Sequence, residues 1–339
     1  MSVTLKALLL AASSAIVAQQ AAAQSPAEFF KGRNINVYIG FSPGGSYDFF
    51  GRLVARHIGK HIPGSPTGVP NSMPGAGSFT AANWLYSAAP KDGTAIGIVS
   101  QTMAIEELLK NQAVKFKAAE FNWIGRATNI VEVTFVYAKS KAKTIADAKL
   151  HEIPVAGTGP GSPSVGYPLL LNALAGTKFK VIGGFRGSTE GMLAAERGEV
   201  DGGLTSWQTI KVTRKAAYDS GQLRVLVQFA PQREKDLPVP AVVELASNDA
   251  DRTLLTFYAS GGEVGRSFLA PPGVPADRVT AIRRAFDAMM KDKEFIADVD
   301  KAKAEFSPMT GEKLQKLIAD TASVSPAVVA RMRTLLQPK

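Results

Sequence analysis

The sequence has no cysteine. Disulfides, thiolate metal sites and cysteine nucleophiles are therefore excluded together. A core drawn from 339 residues needs no covalent staples, so the absence is compatible with an oxidising compartment. Histidine is scarce, with three in the chain. His57 and His61 stand four apart, but His57-Ile58-Gly59-Lys60-His61 lacks the glutamate of an H-E-x-x-H metal helix. No metal and no cofactor are expected. Long apolar runs are missing too: the most apolar stretch, Ala7–Val17, is well short of the ~20 residues of a spanning helix. Lysine and arginine exceed the acids by 39 to 29, for a formal charge of +10, yet they are interspersed with acids, as in Lys291-Asp292-Lys293-Glu294. There is no basic block and no nucleic-acid-binding motif, so nucleic acid is not an expected partner. A positive surface of this kind speeds the capture of small anions.

The chain opens with one basic residue, Lys6, then the short apolar run, then Ala21-Ala22-Ala23. This is the pattern of a secretory leader, with cleavage expected after Ala23 and a soluble mature protein in the periplasm.

The most informative stretch follows. Ile35, Val37 and Ile39 alternate as a strand, Ser42-Pro43-Gly44-Gly45-Ser46 breaks it, and Phe49, Leu53, Val54 and Ile58 recur at helical spacing. A strand, glycine loop and helix N-terminus in succession aim backbone N–H groups and the positive end of a helix dipole at one spot, which suits an anion. Strand and helix patterns keep alternating downstream, which implies a mainly parallel sheet covered by helices. Gly68–Gly77 reads as a turn-rich stretch without regular structure, and Phe268–Pro275 as a proline-bounded loop. Val131–Ala138 is a strong strand where the chain crosses to a second lobe. A second glycine loop, Gly157–Ser164, introduces a second strand-to-helix unit there, and Arg224–Phe229 marks the return crossing. The expected organisation is a leader at 1–23, a first lobe built from 24–130 and 227–339, and a second lobe at 131–226, with a ligand cleft between them.

Several segments, in order, resemble the solute-binding component of tripartite tricarboxylate transporters, the Bug family. Ser42-Pro43-Gly44-Gly45-Ser46-Tyr47-Asp48 is similar to its P-P-G-G-x-x-D loop, and Asn71–Ser78 to its N-x-P-G-A-G-G segment. Ala89-Pro90-Lys91-Asp92-Gly93-Thr94 resembles a family turn, as do Phe185-Arg186-Gly187 leading to Gly198–Asp201, and Ala270–Pro275 before a helix. The likeness runs from about residue 33 to 330. Ser42 departs from the family's first loop proline, Phe185 from its usual tyrosine, and Gly157–Ser164 carries Pro160 and Pro163 and lacks a following histidine. The resemblance implies an α/β, two-lobed, type II periplasmic-binding (Venus-flytrap) fold with two crossover segments. It also implies a di-, tri- or aromatic carboxylate held between the loops, and delivery to the subunits of a membrane permease. A monomer is expected.

The candidate ligand contacts are Gly44, Gly45 and Ser46 in the first loop, and Ser100 and Gln101 after a strand end. In the second lobe they are Thr158, Ser162 and Ser164, with Arg186, Gly187 and Asp201 beyond. Arg186 is the cation of a cleft loop, suited to clamp a carboxylate. Asp48 is a candidate contact whose other role is to cap the helix. Asp201 is placed either to accept from a ligand donor or to pair with Arg186. A secreted serine hydrolase is the rival reading: Gly40-Phe41-Ser42-Pro43-Gly44 is a literal G-x-S-x-G, with Asp147 and His151 downstream. The residue after Ser42 is Pro43, however, which has no N–H for an oxyanion hole. No catalytic residue is expected on that ground. A ligand-sensing module for a signalling partner is a third reading, which the sequence does not separate from transport.

Overall fold

Strand β1 (Asn34–Ile39) buries Ile35, Val37 and Ile39 and turns the alternate side chains outward. It is flanked by two parallel neighbours, β2 (Thr67–Ser72) and β3 (Ala95–Ile98). The computed structural model describes residues 24–336; the expected leader lies outside the described residues. With β4 (Asn122–Arg126), β10 (Ser267–Ala270) and β11 (Met309–Thr310), these strands form a six-stranded sheet in the order β11-β4-β10-β3-β1-β2. A second sheet of five strands has the order β7-β6-β8-β5-β9, from β5 (Glu132–Tyr137), β6 (Ile153–Ala156), β7 (Phe179–Ile182), β8 (Gly202–Ser206) and β9 (Leu223–Phe229). Helices cover both sheets, and each sheet has its own apolar cores.

Two stretches differ from the sequence reading. Thr67–Ser72, expected as irregular, is a strand. Pro70 stands opposite Val37 on the edge of the sheet, where a missing N–H costs no ladder bond. Gly68 is required there by packing, because a Cβ would sit 1.9 Å from the Ala55 carbonyl oxygen of the covering helix. Phe268–Ala270, expected within a loop, belongs to a fully buried strand, Ser267–Ala270, between β3 and β4. The prolines that suggested a loop begin just after it, at Pro271.

The two sheets are joined by two neighbouring crossings. The chain leaves the first sheet after β4 and enters the second at β5; it returns through Gly261–Val264 into β10. The crossings are stitched together, with Ala127 N donating to Arg266 O at 3.0 Å, Arg266 N to Thr128 O at 2.9 Å and Ile130 N to Gly262 O at 3.0 Å. The expected lobe boundary at 226/227 falls inside β9, and the helix Asp249–Ala259 also packs its Leu254, Leu255 and Tyr258 into the second sheet's core. The last helix, Pro326–Leu336, buries Met332 in that same core.

Candidate functional site

Four helices start at the cleft between the sheets: Ser46–Ile58 after β1, Pro163–Ala175 after β6, Ser188–Arg197 after β7, and Trp207–Thr213 after β8, the last capped by the Ser206 side chain. The N-cap positions of the first three are Gly45, Ser162 and Gly187, and none makes a side-chain capping bond. Glycine has no side chain to offer, and the Ser162 hydroxyl is turned to the Gly159 carbonyl at 2.8 Å. Some other helices are capped in the ordinary way, with Asn248, Asp292 and Thr310 accepting first-turn N–H groups, while others, such as Met103–Leu108 and Ala276–Met289, are not. The starts at Ser46 and Ser188 therefore leave backbone donors and positive dipole ends open to it. At Pro163, which has no N–H, and with Val165 N donating to Ser162 O at 3.0 Å, the first-turn donor left is that of Ser164.

These starts wall a cavity with about 490 Å³ of atom-free space, part of it open to solvent. Of the expected contacts, Gly45, Ser46, Thr158, Ser164 and Gly187 line it. Ser164 is committed to its own loop, its hydroxyl accepting from Thr158 N at 2.9 Å. The remaining expected contacts lie elsewhere. Gly44 gives its N–H to Asp48 at 3.1 Å, and Asp48 also pairs with Arg52 at 2.7 Å, so this carboxylate orders the loop from behind. Ser100 and Ser162 are buried in hydrogen bonds behind the lining. The side chain of Arg186 is 70% exposed and faces Glu190 across 3.8 Å, so it does not enter the cleft. Asp201 accepts from Ser140 at 2.7 Å and precedes β8, at the far end of the strand from the cavity.

The floor of the cavity holds a pair of charges that the sequence reading did not select. Arg266, 2% exposed, ends the return crossing just before β10, and Glu132, 5% exposed, begins β5. They face each other at 3.4 Å. Arg266 also donates from Nε to Ser46 Oγ at 2.9 Å and from Nη1 to Gln101 Oε1 at 2.6 Å, and its guanidinium lies 3.8 Å from the centre of the Tyr47 ring. Gln101, expected as a ligand contact, holds this arginine instead. Burial pushes the Glu132 carboxyl up from its ordinary range, with Arg266 pulling it back. Burial likewise raises the Tyr47 phenol. The available signal was a charge at the head of an apolar strand, as in Glu132-Val133-Thr134-Phe135-Val136 and Arg266-Ser267-Phe268-Leu269.

Loops of the two lobes touch across the cleft through several hydrogen bonds. Ser42 N donates to Arg186 O at 3.1 Å, Gly77 N to Thr158 O at 3.2 Å, and Thr102 Oγ1 to Gly161 O at 2.8 Å. Ser42 thus sits at a lobe contact. Asp147 is tied to Thr144 and His151 lies ahead of β6, at the end of the sheet opposite the cavity. The triad geometry is not assembled. His57 and His61 each face an aspartate, Asp298 and Asp292, at 2.9 Å, and among the described residues no cluster suited to a metal is found.

Two α/β lobes joined by paired crossings, closing on a cavity ringed by open helix starts, define a two-lobed solute-binding protein of the periplasmic-binding kind. A family profile described as the tripartite tricarboxylate transporter family receptor matches residues 51–333. The chain belongs to that family, and it is a solute receptor rather than an enzyme. It is 26% identical over 337 residues to the "UPF0065 protein in gbd 5'region" of Cupriavidus necator, covering 96% of each chain. In fold it is similar to the periplasmic binding protein BugD, with a TM-score of 0.69, 19% identity and coverage of 89% of this chain and 97% of that one. It is also similar to MatC from Rhodopseudomonas palustris with bound malate, with a TM-score of 0.68, 19% identity and coverage of 90% and 99%.

Proposed function

We propose that this receptor is exported to the periplasm, where it captures a small carboxylate between its lobes as a monomer and hands it to a tripartite tricarboxylate-type permease. The observation that carries the reading is the meeting of three uncapped helix starts, at Ser46, Pro163 and Ser188, around one cavity. A carboxylate there gains ~0.3–1 kcal/mol from each dipole, up to ~2 when partly buried. Each charge-assisted hydrogen bond adds ~1.5–3 kcal/mol. Micromolar binding needs about 8 kcal/mol net, which several such contacts supply after association costs. The family supports a carboxylate, and the bound malate of MatC is in keeping with it.

The test is thermal denaturation of the mature chain, residues 24–339, against succinate, malate, citrate, aspartate and benzoate. At least one of them is expected to raise Tm in a concentration-dependent way. Folded protein that none of them stabilises would sink the reading.

A further inference from the structure

A site for anions has no evident need of a carboxylate in its wall, yet Glu132 lines this one. Its Oε1 faces Arg266, through a contact of 3.4 Å that is long for a charge-assisted bond. Among the described residues its Oε2 has no hydrogen-bond donor. Thr205, on the neighbouring strand β8, also lines the cavity, and its buried hydroxyl is without a partner. Buried polar atoms without partners are rare in folded proteins. The Thr205 hydroxyl is such an atom, and it borders the cavity together with the weakly held Glu132 carboxylate, beside helix starts that offer N–H groups.

We propose that the cavity selects a small acid bearing a hydrogen-bond donor next to its carboxylate, a hydroxyl or an ammonium, with that donor received by Glu132 and Thr205. The inference rests on the carboxylate reading above. The acid group goes to the helix starts, and the donor goes to the floor. An acid lacking the donor leaves the Thr205 hydroxyl without a partner and covers a Glu132 carboxylate held only by the long Arg266 contact, and it is rejected for that reason rather than for its size. Arg266, already committed to Ser46, Gln101 and Glu132, holds the Glu132 carboxylate in place.

The experiment is calorimetric titration of the mature chain with succinate, malate and aspartate, which share a four-carbon diacid frame and differ at one substituent. Malate or aspartate is expected to bind at least about tenfold tighter than succinate. The choice between those two arms tells hydroxyl from ammonium. In Glu132→Gln the preference is expected to shrink, and succinate to gain, because Arg266 is released toward a second carboxylate. Thr205→Val, which leaves the ion pair intact, is expected to narrow the same preference. Succinate binding as tightly as both others to the wild-type chain overturns the inference while leaving the carboxylate reading standing, and no binding by any acid overturns both. The wild-type comparison decides the matter even if Glu132→Gln does not fold.

Discussion

Gly45, Ser162 and Gly187 are the residues on which the site depends, through what their side chains do not do. A serine, threonine, aspartate or asparagine that capped its helix at any of these positions would compete with a ligand for the same N–H groups. Asp48 shows how the chain keeps a carboxylate near such a start without blocking it: it takes the Gly44 N–H from behind the loop. The backbone donors can be tested singly. Gly187 is extended, at φ −176° and ψ 169°, and Ser188 is the first helical residue, where proline is tolerated. Ser188→Pro removes one N–H and keeps the helix. Carboxylate affinity is expected to fall about tenfold or more with little change in the Tm of the free protein. Undiminished affinity by calorimetry would show that this start does not face the ligand.

Among the elements, the two glycine loops do different work. The first, Ser42–Ser46, presents donors. The second, Gly157–Ser164, presents Ser164 but also receives the other lobe. Gly159 has a φ of +140°, and a Cβ there would lie 2.6 Å from the Gly77 nitrogen and 2.9 Å from the Ala76 carbonyl carbon across the cleft. Both the conformation and the close approach demand glycine. Gly159→Ala is expected to fold but to hold the lobes apart. Ligand affinity should drop at least about tenfold, and saturating ligand should no longer contract the molecule in small-angle scattering. A variant that contracts like the wild type would refute the assigned contact. Elements also show where local reading failed. Pro70 argued against a strand, but an edge position excuses a missing donor. The four residues of β10 gave too short a signal beside the prolines that follow.

For the whole molecule, lobe closure is coupled to buried polar groups that lie far apart in sequence. Glu106, buried on the first sheet's side of the cleft, accepts from Asn111 at 2.8 Å and from Tyr258, on the second sheet's helix, at 3.2 Å. Burial raises its carboxyl above the ordinary range, and the two hydrogen bonds act in the opposite direction. A carboxyl with a raised folded-state pKa binds its proton more tightly when folded. Its contribution to stability is therefore fully present below the unfolded pKa of about 4.3 and is lost as pH rises through the folded value. Glu106→Gln keeps the shape without the titration. Its Tm is expected to gain on the wild type between pH 4.5 and pH 7.5, and a difference that does not move with pH would count against a raised pKa.

The sequence by itself determined the local units: alternating apolar residues made β1, Gly44-Gly45 broke it, and helical spacing restarted at Phe49. Those signals are short-range, so the family resemblance, the two-lobed α/β class and part of the cavity lining, Gly45, Ser46, Thr158, Ser164 and Gly187, were legible without coordinates. Arg186 and Asp201 were expected at the cleft because sequence places them in a cleft loop and near a strand. Only the tertiary structure decides which way a loop side chain points and which end of a strand meets the cavity. Only it could pair Glu132 with Arg266, 134 residues apart, because a buried charge is tolerable where its partner arrives from elsewhere in the chain. The sequence thus specified the open helix starts, and the packing of two crossings against each other decided what lies beneath them.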